Sequence, residues 1–390
     1  MNRTLIKNIR MIDSEITQGS LLLENGKILS HLPLHNEVAA DTVIDGKGLY
    51  ASAGFIEMHT HGAGGYDFMD GTQQAYQCAC DAHLTHGVTT ILPTTVAASC
   101  EEYHRTLDAF RLAKKSRSNR QCLLGMHFEG PYFPENRAGG MDMRYISKPI
   151  RSDYMALIEY ACGNIARWSA APELEGAEMF GDDCVKNGIL PSIAHTDGTI
   201  RDVRRAVQHG FRHVTHLYSD MSTITRESGF RVLGVLESAY ALENLWVELI
   251  ADGCHLPPDL FSMIYRLIGP ERLQLCSDSI RPAGTDAKEA IVGSLENGVR
   301  GIIEDGVAKF PDRSAFYGSI AMGSDLVRAA RDKAGVPLCA AVRMITENPA
   351  KILHIDDHKG FLRVGYDADI VLFDENVMVQ QVLYQGKVVV

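Results

Sequence analysis

Two histidines one residue apart, His59 and His61, close an apolar run that begins at Gly54. On an extended strand, residues i and i+2 project to the same face, so the two imidazoles converge on one point that a metal ion could occupy. The pair needs company, because paired histidines also arise as hydrogen-bonded core residues. Further along the chain, apolar runs end in Glu129, His195, His216, His255 and Asp278. Singly, each is as much at home in a core or at a helix cap. Jointly they describe a ring of imidazole and carboxylate, the donor set that borderline divalent metals prefer. Zinc, iron, manganese and nickel all suit such donors.

The elements that must carry these groups follow from the spacing of apolar runs. Eight runs can be counted: 54–61, 87–95, 122–132, 165–173, 189–197, 213–220, 245–255 and 273–279. Segments with helix-compatible periodicity separate them, among them 72–85, 101–115, 199–209 and 258–267. Eight β/α units predict a closed parallel TIM-type (β/α)8 barrel, in which functional groups sit at the C-terminal ends of strands. Most of the runs end in ligand-type residues, as that fold requires. Both chain ends read differently. Residues 4–11, 20–24, 27–32 and 42–44, and later 368–373, 381–384 and 387–390, read as short strands with Asn25-Gly26 and Gln385-Gly386 turns. Neither end can bury a core alone. They are expected to pair into one small β-sandwich, residues 1–52 with 359–390, flanking a barrel domain over 53–358.

Composition bounds the function. A chain of 390 residues with 45% hydrophobic content has ample material for a large core. A formal net charge of −11 argues against a nucleic-acid or anionic-membrane surface. No apolar stretch is long enough to cross a bilayer, and the first ten residues lack a signal-peptide core, so a cytoplasmic protein is expected. The nine cysteines are scattered without a Cys-x-x-Cys, which fits reduced, mostly buried thiols.

The motifs GFIEMHTHG (Gly54–Gly62), HFEGPY (His127–Tyr132), AHTDGT (Ala194–Thr199), THLY (Thr215–Tyr218), IADGCH (Ile250–His255), SDS (Ser277–Ser279) and PAG (Pro282–Gly284) resemble those of the N-acetylglucosamine-6-phosphate deacetylases of the amidohydrolase superfamily. The resemblance continues through NPAKIL (Asn348–Leu353) and GFLRVGYDADIV (Gly360–Val371), so it covers nearly the whole chain. It implies that His195, His216 and Glu129 hold one divalent metal, and that His59 and His61 hold a second, sharing Glu129. Two metals per chain are therefore expected. By the same resemblance Asp278 contacts the more buried ion and carries the proton, and His255 binds substrate or stabilises the oxyanion. Arg226 reaches a substrate phosphate across a homodimer interface. His127 reads as support; His83, His86, His209 and His213 read as structural.

Two departures touch substrate recognition. Met141 stands where the family usually has a histidine, and Ser219-Asp220 follows Tyr218 where the family usually has Asn-Ala. A carboxylate beside a phosphate is repulsive by Coulomb's law. The expected activity is hydrolytic removal of acetyl from an N-acetylated amino sugar, N-acetylglucosamine-6-phosphate or a related hexosamine phosphate. The alternatives are another N-acyl or cyclic amide substrate, or a non-catalytic metabolite-binding descendant.

Overall fold

Eight parallel strands form a ring: Phe55–Thr60, Val88–Thr95, Met126–Glu129, Ile165–Ala170, Leu190–Ile193, His213–Val214, Trp246–Ile250 and Leu273–Cys276. The computed structural model describes residues 3–34, 38–118 and 120–390, so Met1 and Asn2 of the N-terminal stretch read above lie outside the described residues. Successive strands pair in parallel register from Phe55–Thr60 onward. Closure comes from the parallel bridge between Thr60 and Ser279, with Asp278 N donating to His59 O at 3.0 Å and His61 N to Ser279 O at 2.8 Å. This is the expected barrel. One run is shorter than expected, because Cys122–Leu123 splits off and pairs separately with Val88–Thr95 before the ring strand Met126–Glu129 begins.

Strand alternation sorts the side chains. In Ile165–Ala170, Trp168 faces outward onto Phe180 of the helix Ala177–Lys186, while Arg167 and Ser169 face the lumen. Helices Gln73–Thr85, Cys100–Arg117, Arg151–Ala161, Ile200–Gln208 and Pro258–Ile268 wrap the ring. Thr72 and Ser99 cap two of them, each side-chain oxygen accepting from a backbone N–H that would otherwise lack a partner, and at the start of a third Asp202 accepts from the backbone N–H of Thr199. The N-terminal end of the ring is sealed by the returning chain. Ile56 N donates to Ile345 O and Leu275 N to Met344 O, both at 2.9 Å, and Met58, Ile352 and Ile355 pack there.

The chain ends do pair. An eight-stranded sheet runs from Lys387–Val388 through Val379–Tyr384, Ile370–Phe373, Tyr50–Ala53, Arg3–Ile12 and Ile16–Glu24 to Lys27–Leu32, with Thr42–Asp45 against Arg3–Ile12. The join is antiparallel, Ile370 opposite Ala53 and Phe373 opposite Tyr50. Its own core contains Ile6, Ile9, Leu21, Leu23, Ile28, Leu372 and Leu383. Two pieces went unread in the sequence. One is an antiparallel four-stranded sheet, Glu289–Val292, Val299–Glu304, Val307–Lys309 and Phe316–Ser319, which follows the last ring strand. The other is the hairpin Thr225–Glu227 with Phe230–Val232. Among the described residues, no helix is long and apolar enough to cross a membrane.

Candidate metal centre and substrate cavity

The groups expected at strand ends meet at one mouth of the ring. His59 and Glu129 belong to their strands, His61 follows Phe55–Thr60 directly, and His195, His216 and Asp278 each sit two residues beyond a strand end. Those last three have φ of +44°, +26° and +46°, in the left-handed region that non-glycine residues rarely adopt. Such backbone turns the chain sharply off the strand, aiming each side chain across the mouth; its concentration here fits a site that constrains its own geometry.

Glu129 divides the cluster in two. Its Oε1 lies 3.3 Å from His195 Nε2 and 2.9 Å from His216 Nε2. Its Oε2 lies 3.3 Å from His59 Nε2 and 3.1 Å from His61 Nε2, and the same two nitrogens lie 3.4 and 3.2 Å from Asp278 Oδ1. Ligand atoms thus gather into two groups, His59, His61, Glu129 and Asp278 on one side and Glu129, His195 and His216 on the other. Bonds of about 2.0–2.1 Å in a tetrahedral arrangement put neighbouring donors roughly 3.3 Å apart, close to the spacing of the first group. His59 Nε2 is fully buried without a hydrogen-bond partner, a costly state for a polar atom unless something else satisfies it. The donor set and this orphaned nitrogen fit a divalent metal. Electrostatics agree. Burial opposes charge on His59, but Glu129, Asp278 and Glu248 raise its pKa well above the ordinary value, and His61 is raised to about 9 against the same burial by Asp278 and Glu129. Burial raises Glu129 and Asp278, and the surrounding histidines overcome it and hold both below the usual carboxylate range. The field that draws protons onto these imidazoles is the field a divalent cation would meet.

Support comes from the lumen. His59 Nδ1 lies 2.9 Å from Glu248 Oε1, which fixes which ring nitrogen faces the mouth. His127 stands edge-on to His59, its Nε2 2.7 Å from Ser169 Oγ, and contacts neither group of ligand atoms as a donor. His83 bonds Thr60 Oγ1, and His213 bonds Ser192 and Gln274, both in structural roles. Sequence reasoning missed Glu248 and Arg167, although a lone charge in the middle of an apolar ring strand was a readable signal.

A cavity of about 300 Å³ opens above this cluster. His61, Glu129, His195, His216, His255 and Asp278 line its floor and wall, with Met141, Ser219 and Asp220. His255 Nδ1 is held 2.7 Å from Asp252 Oδ2 and its ring packs on Phe316. The unread sheet supplies Val292, Phe316 and Tyr317. Gly139 lets the Met141 loop approach: a Cβ there would stand 2.8 Å from Asp220 Oδ2 and 3.1 Å from the His195 ring, at a φ of +58°. Asp220 Oδ2 lies 3.7 Å from His195 Nδ1. Arg226 is not brought to this cavity; it is exposed on the hairpin Thr225–Glu227, opposite Arg231.

The Amidohydrolase family model matches residues 50–389. The chain is similar to N-acetylglucosamine-6-phosphate deacetylases from Caenorhabditis elegans, 30% identical over 94% of this chain and 89% of that protein, and from Lysinibacillus sphaericus, 28% identical over 98% and 97%. Among solved structures it superposes with a TM-score of 0.90 on an Asp-to-Ala variant of N-acetyl-D-glucosamine-6-phosphate deacetylase from Mycobacterium smegmatis in complex with N-acetyl-D-glucosamine-6-phosphate, 26% identical and covering 100% of both chains.

Proposed function

The chain belongs to the amidohydrolase family, and we propose that it is a metal-dependent hydrolase that removes the acetyl group from an N-acetylated amino sugar, with N-acetylglucosamine-6-phosphate as the first candidate. The observation that carries this reading is Glu129, whose two oxygens face two separate groups of imidazoles beneath one cavity. His195, His216 and Glu129 would hold one ion, His59, His61 and Glu129 a second. A divalent ion so held lowers the pKa of a water toward neutrality and polarises an amide carbonyl.

The chain's own residues do the rest. Asp278 accepts the proton of the attacking water as the water's oxygen bonds to the acetyl carbon. It then returns that proton to the sugar nitrogen as the C–N bond breaks, leaving acetate and a free amine. With Nδ1 held by Asp252, His255 offers Nε2 to the substrate carbonyl oxygen, where developing negative charge is stabilised. Met141, Ser219 and Asp220 contact the sugar at the wall of the cavity. Arg226 is assigned to a phosphate bound by a partner subunit in a homodimer; guanidinium geometry suits that ligand.

One observation favours a second substrate reading. Among the described residues lining the cavity none is Lys or Arg, and Asp220 adds a carboxylate. That lining fits an unphosphorylated N-acetyl amino sugar. Acetate release from N-acetylglucosamine-6-phosphate and from N-acetylglucosamine distinguishes the two, and no release from either or from other N-acetyl hexosamines sinks deacetylation. Replacing His59 and His61 together by Ala is expected to remove one of two metals while His195 and His216 keep the other; unchanged stoichiometry would overturn the two-metal assignment.

A further inference from the structure

Arg167 and Glu248 are both fully buried, on ring strands Ile165–Ala170 and Trp246–Ile250, and meet in the lumen beneath the ligands. Nη1 of Arg167 lies 2.5 Å from Glu248 Oε2, and Nη2 lies 3.2 Å from Oε1. Taking two charges out of water is costly, and an apolar pair of similar volume would serve a core as well. Stability alone therefore gives no reason for this pair.

The reason lies in what the pair touches. Glu248 Oε1 accepts from His59 Nδ1 at 2.9 Å and from the backbone N–H of His216 at 3.2 Å. Arg167 donates to the carbonyl of Met58 at 3.3 Å and to Thr215 Oγ1 at 2.8 Å. Met58 precedes His59, and Thr215 precedes His216. One ion pair thus grips a ligand and the residue before it in each of the two groups that Glu129 separates. On the His59 side it dictates the tautomer, because Nδ1–H is given to Glu248 and Nε2 is left to face the mouth. On the His216 side it holds the backbone at a φ of +26°, which the residue would otherwise leave.

We infer that Arg167 and Glu248 are a positioning pair that sets the affinity of both metal positions at once, through His59 on one side and His216 on the other. The inference rests on the two-metal reading above. Neither residue lines the cavity, so neither is catalytic.

The test uses zinc as probe, titrated into the full-length apoprotein against a competing chelator, with thermal unfolding of the apoprotein in parallel. Glu248→Gln leaves Arg167 as an uncompensated buried cation, so it is paired with Arg167→Met/Glu248→Gln, in which neither position carries a charge, and with Thr215→Val, which removes the hydroxyl that Arg167 and Ser169 share. The double variant is expected to unfold cooperatively and to bind zinc about 10- to 100-fold more weakly at both positions, the range found for lost outer-shell partners of metal ligands. Thr215→Val is expected to weaken zinc binding at the His195 and His216 position and to leave the His59 and His61 position unchanged. A folded double variant with wild-type zinc affinity would overturn the inference, since a merely structural pair alters unfolding and leaves affinity alone. Wild-type protein that binds no zinc, iron, manganese or nickel would instead sink the metal-centre reading, and this inference with it.

Discussion

The lumen of the barrel and the core of the terminal sheet are both buried, yet they are built from opposite materials. Glu57, His59, His127, Arg167, Ser169, Ser192, His213, Glu248 and Gln274 are all fully buried in the ring. In the terminal sheet, Ile6, Leu21, Ile370, Leu372 and Leu383 are buried to the same degree. Each aliphatic side chain there contributes about 1.5–3 kcal/mol by leaving water. The lumen groups gain little, because every hydrogen bond they make replaces one to water and every unmade one costs about 1–3 kcal/mol. Polar burial on that scale is sustained by what it holds in place. The two regions therefore predict separable phenotypes: changes at the mouth should cost rate with little loss of fold, and changes in the terminal sheet should cost fold with little loss of rate.

Asp278→Asn is the strongest way to break that division. The substitution keeps the shape and removes the proton acceptor, so kcat for acetate release should fall about 10²–10⁴-fold, while the unfolding midpoint moves little. An unchanged kcat would remove Asp278 from proton transfer. A collapse of the midpoint would mean that the mouth is as structural as the terminal core.

Leu372→Ala tests the other side. Leu372 is fully buried between strands paired on both edges, and its truncation should cost about 2–5 kcal/mol of stability, measured by denaturant unfolding. The folded fraction should retain wild-type kcat and KM. A matching loss of kcat would show that the sheet shapes the cavity.

The same contrast explains what could be read from the residues alone. The terminal strands were legible because alternation and Asn-Gly or Gln-Gly turns are local signals, and the strand Lys27–Leu32 lies where those signals put it. The ring and the cluster at its mouth were legible because strand ends in a parallel barrel converge, so His59, His61, Glu129, His195, His216 and Asp278 could be expected to meet from the sequence alone. Arg167 and Glu248 were each visible as a lone charge in an apolar strand, but their pairing escaped because the partner is across the lumen, some eighty residues away in sequence, and no local pattern joins them. The sheet over 289–319 escaped for another reason. Its strands are short and turn-rich, with Gly298, Gly301 and Gly306 interrupting the apolar pattern, and they fold against the mouth instead of continuing the β/α alternation. Arg226, expected at a substrate phosphate, lies instead on an exposed hairpin away from the cavity, a turn of the chain that no apolar period marks.

The finest test lies where recognition and chemistry share the cavity wall. Asp220 is part-exposed and close to His195, with its backbone at a φ of +47°. A phosphate about 4 Å from its carboxylate would be repelled by about 1 kcal/mol per charge pair in water, rising toward 4 at a partly screened surface. Asp220→Asn should therefore raise kcat/KM for N-acetylglucosamine-6-phosphate by about 10-fold, equivalent to 1.4 kcal/mol, and leave that for unphosphorylated N-acetylglucosamine within a factor of about two. Such a selective gain would identify Asp220 as the residue that turns the cavity away from phosphate. An equal change for both sugars would show instead that Asp220 acts through His195, on the chemistry common to both. The boundary between catalytic floor and recognition wall would then have to be redrawn one residue further out.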